Sequence, residues 1–190
     1  WKKILSKIKA VSKDSALPIH IYMDLPGPKI RISNIYLKKV SQKTLDTASS
    51  VKIGKGDKLL LIKHNSPYLS GKHKKISLPE ETILVEVSLP QIIDDLKKGH
   101  AVFFDDGAIE AKVVSLDEET ASLLVRKSHK TKLRPGKGIN LPSTHLNLPS
   151  LTPEDVQLLP FISAHADLMG YSFVRNAKDV AILYEELDKL

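Results

Sequence analysis

Two kinds of pattern are written into this chain, and the place where one interrupts the other constrains the fold more than any single motif does. From about residue 32 to residue 134 short apolar runs recur with glycine-bearing turns between them, whereas on either side helical periodicity alternates with single strands. Residues 51–62 alternate, turn on Gly54-Lys55-Gly56-Asp57 and run into a second strand. Residues 83–87 read as a further strand, and 89–97 as a brief helical turn ending at Gly99. Residues 101–104 and 108–115 form a hairpin about Asp105-Asp106-Gly107, because Asp-Gly chemistry accepts the positive φ that a tight reversal needs. Residues 120–125 supply one more strand. Short strands at close spacing with glycine turns indicate a small β-barrel.

The flanks are different. Trp1, Ile4, Leu5, Ile8 and Val11 recur at helical spacing, with Lys2, Lys3, Lys7 and Lys9 between them, so one apolar face opposes one wet basic face. A polar connection, 12–18, leads to a strand over 19–23 that ends in Asp24. Past Arg134, Leu151-Thr152-Pro153-Glu154-Asp155 is a helix start. Thr152 is the N-cap, Pro153 takes the first helical position, and two acids sit near the positive end of the dipole. That helix should run to about Ala164. A strand over 166–171 ends in Ser172-Phe173-Val174-Arg175, and a second amphipathic helix runs from 176 or 177 to 190. The expected fold class is therefore α/β with an all-β insert. In a barrel of alternating strands and helices, an Asp at the C-terminal end of a strand stands where active sites are built, which singles out Asp24. The plainer reading is a solvated Asp before the turn through Pro26-Gly27-Pro28.

Charge and composition narrow the partners. The 29 Lys and Arg against 22 Asp and Glu leave a formal charge of +7, which favours an acidic partner without choosing among phosphate metabolites, nucleic acid and membrane surfaces. The absence of cysteine removes disulfides, thiolate metal sites and a Cys nucleophile, and fits a cytoplasmic protein. No apolar run approaches the ~18 residues a bilayer crossing needs. The chain opens at Trp1 in what reads as mid-helix, so we expect a piece of a longer protein. Between Arg126 and Lys137 stand six Lys or Arg, with His129 and no acid, as a basic β-barrel that binds nucleic acid would have. Against that, Tyr68, Phe103 and Phe104 are the only aromatics in 51–140, too few and too clustered for a stacking platform. The run reads better as a phosphate-facing or solvated flank, and nucleic acid is a disfavoured partner. No HxxxH or HExxH motif is present.

Five motifs then fall in order: Asp24 to Arg31 (DLPGPKIR), Asp105-Asp106-Gly107, Lys137 to Pro142 (KGINLP), Leu148-Pro149-Ser150-Leu151-Thr152, and Ser172-Phe173-Val174-Arg175 leading to Asp179-Val180. In that order and at about that spacing they resemble pyruvate kinase across nearly the whole chain. His165-Ala166-Asp167-Leu168 is similar to a divergent bacterial branch of that family. The resemblance implies that 1–31 and 138–190 are partial (β/α)8 TIM-barrel segments, and that 32–137 is a small closed β-barrel forming a mobile lid over nucleotide. The implied chemistry is phosphoryl transfer from phosphoenolpyruvate to ADP, followed by protonation of the enolate. It needs Mg2+, a monovalent cation or its substitute, and basic groups around the phosphates. The implied partners are ADP or ATP and phosphoenolpyruvate in a homo-oligomer, with no membrane.

Position by position, the resemblance implies that Asp24 belongs to the monovalent-cation site, as a ligand of that cation alone. Arg31 becomes the catalytic arginine near the transferred phosphate and nucleotide, where a planar fork is worth more than a point charge. Asp106, or its neighbour Asp105, brings a lid carboxylate over the cleft, turn geometry alone being the other reading. Lys137 contacts nucleotide phosphate, or is a solvated loop lysine. Ser172 and Arg175 lie at the end of the next barrel strand, with a structural ion pair the favoured reading of Arg175. Family members that need K+ usually carry Glu where this chain has Lys29, and an ammonium there can supply the charge of K+. K+ is therefore expected not to be required. Leu25 and Pro26 replace the family's commoner Thr and Lys. The family's phosphoryl-transfer lysine and the Glu and Asp that hold Mg2+ lie beyond residue 190. These 190 residues are thus expected to be inactive by themselves and, with two barrel strands that cannot close, to self-associate or be disordered in isolation. A parent that has lost catalysis and binds a metabolite or partner is the remaining alternative.

Overall fold

The computed structural model describes residues 1–14, 19–38, 45–69, 82–129 and 132–190. The chain is mixed α/β and forms two compact units, Trp1–Pro28 with Pro149–Leu190, and Lys29–Leu148.

In the first unit, helix α1 (Lys2–Asp14) precedes strand β1 (Tyr22–Leu25). Helix α3 (Pro153–His165), strand β12 (Leu168–Tyr171) and helix α4 (Ala177–Leu187) follow from the other end of the chain. Strands β1 and β12 pair in parallel, Tyr22 opposite Leu168 and Asp24 opposite Gly170. The two-residue period of a strand sends Met23 and Leu25 into a core with Leu151, Leu159, Ile162 and Leu183, and leaves Tyr22 and Asp24 exposed on the other face. Helix α3 starts as its sequence indicates. The Thr152 hydroxyl accepts from the Asp155 N–H, the Asp155 carboxylate accepts from the Thr152 N–H, and Pro153 fills the first turn. Asn176 and Asp179 cap α4 in the same reciprocal way.

Two expectations are corrected here. The strand expected over 19–23 begins at Tyr22, and its partner begins at Leu168 rather than 166. The Asp167 carboxylate takes the Ile21 N–H at 2.7 Å, and the N–H groups of Asp167 and Leu168 both turn onto the Ile21 carbonyl. Those contacts occupy the rungs that would have lengthened the ladder. The apolar face of α1 is mostly uncovered: Leu5 is buried, while Trp1, Ile4 and Val11 are exposed, because among the described residues no second layer lies over them.

In the second unit, one sheet has the order β11-β7-β8-β9-β5-β6-β2-β3. Its members are β2 (Ile32–Leu37), β3 (Asp46–Thr47), β5 (Lys58–Ile62), β6 (Ile83–Val87), β7 (Ala101–Phe104), β8 (Ile109–Leu116), β9 (Thr120–Ser128) and β11 (Ile139–Asn140). Only β5 and β6 run parallel. The short helix α2 (Ile92–Asp95) precedes β7. Strand β4 (Val51–Lys52) pairs with β10 (Lys132–Leu133), so the runs flanking the 54–57 turn pair with other strands and not with one another. Along β5, Leu59 and Leu61 enter the main core with Val85, Val87, Phe104 and Leu123, while Leu60 and Ile62 join Leu84 in a second cluster. Both faces are buried, which is why this strand reads as an unbroken apolar run.

Although β2 and β11 stand far apart in the sheet order, their entrances are joined. Arg31 and Gly138 form an antiparallel bridge. The Ile139 N–H donates to the Ile30 carbonyl and the Ile32 N–H to the Lys137 carbonyl, each at 2.9 Å.

Candidate functional site

That bridge is where the second unit gathers its expected site residues. Strand β7 ends at Phe104 and reverses through Asp105, Asp106 and Gly107, with φ of 51°, 56° and 84°. Aspartate enters this left-handed region more readily than most residues, since its short carboxylate can bond locally. The Asp105 N–H donates to the Gly138 carbonyl at 3.0 Å, which fastens the turn to the return segment. The Asp105 carboxylate, only 11% exposed, lies 3.0 Å from Lys137 Nζ, whose side chain is 43% exposed. Arg31 sits across the bridge, and its Nη1 donates to the Gly136 carbonyl at 3.0 Å. Its backbone N–H donates to Ser88 Oγ at 2.9 Å, and the Ser88 hydroxyl reaches the Lys29 carbonyl at 3.4 Å. The side chains of Lys29 and Asp106 are exposed. Arg31, Lys137 and Asp105 are thus brought together, and Asp105, not Asp106, makes the ion pair.

The first unit holds Asp24, Ser172 and Arg175. Asp24 lies one residue before the end of β1, exposed and opposite Gly170. Ser172 is exposed in the turn after β12. The Arg175 N–H donates to the Asp179 carboxylate at 2.8 Å, and its guanidinium lies 3.7 Å from the same group. The Arg175 N–H is the main cause that holds the Asp179 carboxyl below its ordinary value. Burial opposes it, while the Ser150 hydroxyl, the Asn176 N–H and the Arg175 charge assist. Arg175 therefore works in the cap of α4.

Sequence reasoning missed a second anchoring point in this unit. Asp155 is fully buried, and besides capping α3 it accepts the Gly27 N–H at 3.0 Å. A Cβ on Gly27 would fall on the ring of Phe173, itself at φ 63°. The turn after β1 is thereby tied to the start of α3 and to the turn after β12. Asp155 was visible only as an acid favouring a helix dipole, and nothing local in the sequence signals a bond to a residue so distant along the chain. Among the described residues no group of three or more His, Cys, Asp or Glu could hold a metal ion, and no helix is long and apolar enough to cross a membrane.

Chemically, the bridge presents two cations with donors to spare. A guanidinium has five N–H donors and an ammonium three, and each is fixed here by a contact to a strand or turn, an arrangement suited to oxyanions.

A family model for the pyruvate kinase barrel domain matches residues 1–189. Pyruvate kinase of Geobacillus stearothermophilus is 26% identical over 185 residues, covering 97% of this chain and 28% of that protein. The Thermotoga maritima enzyme is 29% identical over 189 residues, 99% of this chain and 35% of its own length. That of Thermococcus litoralis is 29% identical, covering 98% and 34% respectively. The chain thus spans about a third of the length of these curated relatives. With its motifs, its parallel strand pair and its inserted sheet in this order, the chain belongs to the pyruvate kinase family.

Proposed function

We propose that this chain is a piece of a pyruvate kinase that moves the phosphoryl group of phosphoenolpyruvate to ADP, a cytoplasmic, glycolytic reaction. The observation that carries this reading is the placement of Arg31 and Lys137 on one bridged pair of segments, Arg31 held by the Gly136 carbonyl and Lys137 by the Asp105 carboxylate. Transfer of a phosphoryl group is mostly positioning and charge neutralisation. Arg31 would fork onto phosphate oxygens while Gly136 holds its other edge. Lys137 would neutralise nucleotide phosphate.

The lid, 32–137, lies within the unit Lys29–Leu148, and the bridge between the entrances of β2 and β11 supports its closure into a small β-barrel. Parallel β1 and β12, with α3 leading into β12 and α4 after it, suit two adjacent strands of a (β/α)8 barrel. As the family resemblance implies, the Mg2+ ligands are assigned to the rest of the protein, and these 190 residues alone are expected to be inactive. Lys29, in place of the Glu of K+-requiring relatives, supports turnover without K+. Asp24, Ser172 and Arg175 belong to the barrel side.

None of the aromatics of the second unit is exposed: Tyr36 and Phe103 are half-buried, and Tyr68 and Phe104 are buried. That disfavours the nucleic-acid alternative. The deciding experiment measures pyruvate formation from phosphoenolpyruvate and ADP, with Mg2+ and with or without K+, on the full-length protein carrying this chain. Turnover without K+ is expected. A folded full-length protein that binds ADP and forms no pyruvate would instead be a binding protein built on the same lid.

A further inference from the structure

We propose that Asp105 is a positioning residue for Lys137, one that aims the lysine at the polyphosphate of a nucleoside diphosphate. The inference rests on the nucleotide-site reading above and extends it to a residue that does not itself touch phosphate. Three observations carry it. First, the two ends of the ion pair differ in exposure, 11% for Asp105 against 43% for Lys137. The carboxylate is the fixed, interior end, and the ammonium faces outward. Second, Asp105 is held independently of its side chain. Its N–H donates to the Gly138 carbonyl, one residue from Lys137, and its φ of 51° sets it in the first position of a left-handed turn. Third, a lysine ammonium has three donors. One directed at Asp105 leaves two for phosphate oxygens, so the carboxylate orients the cation without consuming it.

The physical consequence is lower entropy loss on binding. A free lysine side chain gives up rotamer freedom when it is fixed, and a lysine already seated on a neighbouring carboxylate has lost part of that freedom before ligand arrives. Arg31 is treated in the same way, with Nη1 on the Gly136 carbonyl. Both cations are thus held beside the same short stretch, 136–138: Arg31 by the Gly136 carbonyl, and Lys137 by Asp105, whose own N–H is bonded to Gly138.

The test is a double-mutant cycle on ADP affinity in the full-length protein, with D105N, K137Q and D105N/K137Q, and adenosine as a ligand lacking phosphate. Asn enters the left-handed region as readily as Asp, so D105N keeps the turn while removing the charge. We expect D105N to weaken ADP binding about five- to tenfold, to leave adenosine binding unchanged, and to have no further effect in the K137Q background. D105E should recover part of the loss. Equal losses in the wild-type and K137Q backgrounds would mean that Asp105 acts on the fold and not through Lys137, and would overturn the proposal. So would tighter ADP binding by D105N, which would make the carboxylate a competitor of phosphate. Absence of ADP binding in the unmodified protein, or an unchanged affinity in K137Q, would overturn the nucleotide-site reading itself and this inference with it.

Discussion

Gly27 shows how much of this protein depends on one position. Its φ of +63° lies in the left-handed region that most side chains enter only with strain, its N–H is bonded to buried Asp155, and the Phe173 ring fills the space where a Cβ would go. G27A should therefore destabilise the first unit by two separable routes. F173A placed on G27A removes the ring clash but leaves the backbone cost of about 1–2 kcal/mol, so the double variant should recover only part of the loss in urea denaturation. A complete recovery would mean that the φ carries no penalty. D155A removes the helix cap and orphans the Gly27 and Thr152 N–H groups together. We expect a loss of about 2–4 kcal/mol, visible as faster amide exchange in α3.

Asp117 makes a prediction in pH. Burial works against its charge, but the Glu119 N–H, the hydroxyls of Thr120 and Tyr68 and the Thr120 N–H outweigh burial and hold its carboxyl below the ordinary 3.8. A carboxyl depressed in the folded state contributes stability that is complete above the unfolded value and is lost as pH falls through the folded one. The second unit should accordingly weaken below about pH 3.8, and D117N should flatten that acid limb of the stability curve. An unchanged limb in D117N would assign it to other carboxyls.

Strands and helices differ in how much of them the sequence discloses. Helix α3 was readable because its start is purely local: Thr152, Pro153 and Asp155 lie within four consecutive residues and bond to one another. Strand β6 was equally plain as a bounded apolar run. Strand β2 was not, for a physical reason. A register shift between Ile32 and Asn34 puts Ile32 and Ile35 in the same core, three residues apart, so the two-residue period that marks a strand is broken. Glu86 on β6 is the other concealed feature. It looks like an outward-facing acid, yet it is 1% exposed. It accepts from Asn34 Nδ2 at 2.6 Å and the Tyr36 hydroxyl at 3.2 Å, with His64 Nδ1 at 2.7 Å. These are contacts among three segments that no window of sequence contains. E86A leaves the Asn34 amide and Tyr36 hydroxyl unmatched and should cost the second unit about 2–4 kcal/mol. E86Q keeps the shape and one acceptor and should cost less. Equal losses in thermal unfolding would remove the hydrogen-bond explanation.

For the molecule as a whole, the motifs disclosed the family and the order of its pieces, while contacts inside each unit, such as Gly27 with Asp155 and Arg31 with Gly138, were hidden because their partners lie far apart in the chain. The converse also holds: Asp24 and Lys29, five positions apart in sequence, belong to different compact units. The monovalent-cation reading of both residues is best tested by charge reversal. If the Lys29 ammonium stands in for K+, then K29E in the full-length protein exchanges a fixed positive charge for a carboxylate that wants a cation. Pyruvate formation should fall roughly tenfold or more without K+ and return when K+ is added, while the unmodified protein is indifferent to K+. The comparison must be made at constant ionic strength with a bulky cation replacing K+, since screening alone changes the affinity of anionic substrates. Recovery of K29E by K+ would tie Lys29 to the cation's role. Loss that K+ does not repair would make Lys29 a phosphate-attracting charge instead, and full dependence of the unmodified protein on K+ would remove any substitution of Lys29 for the cation.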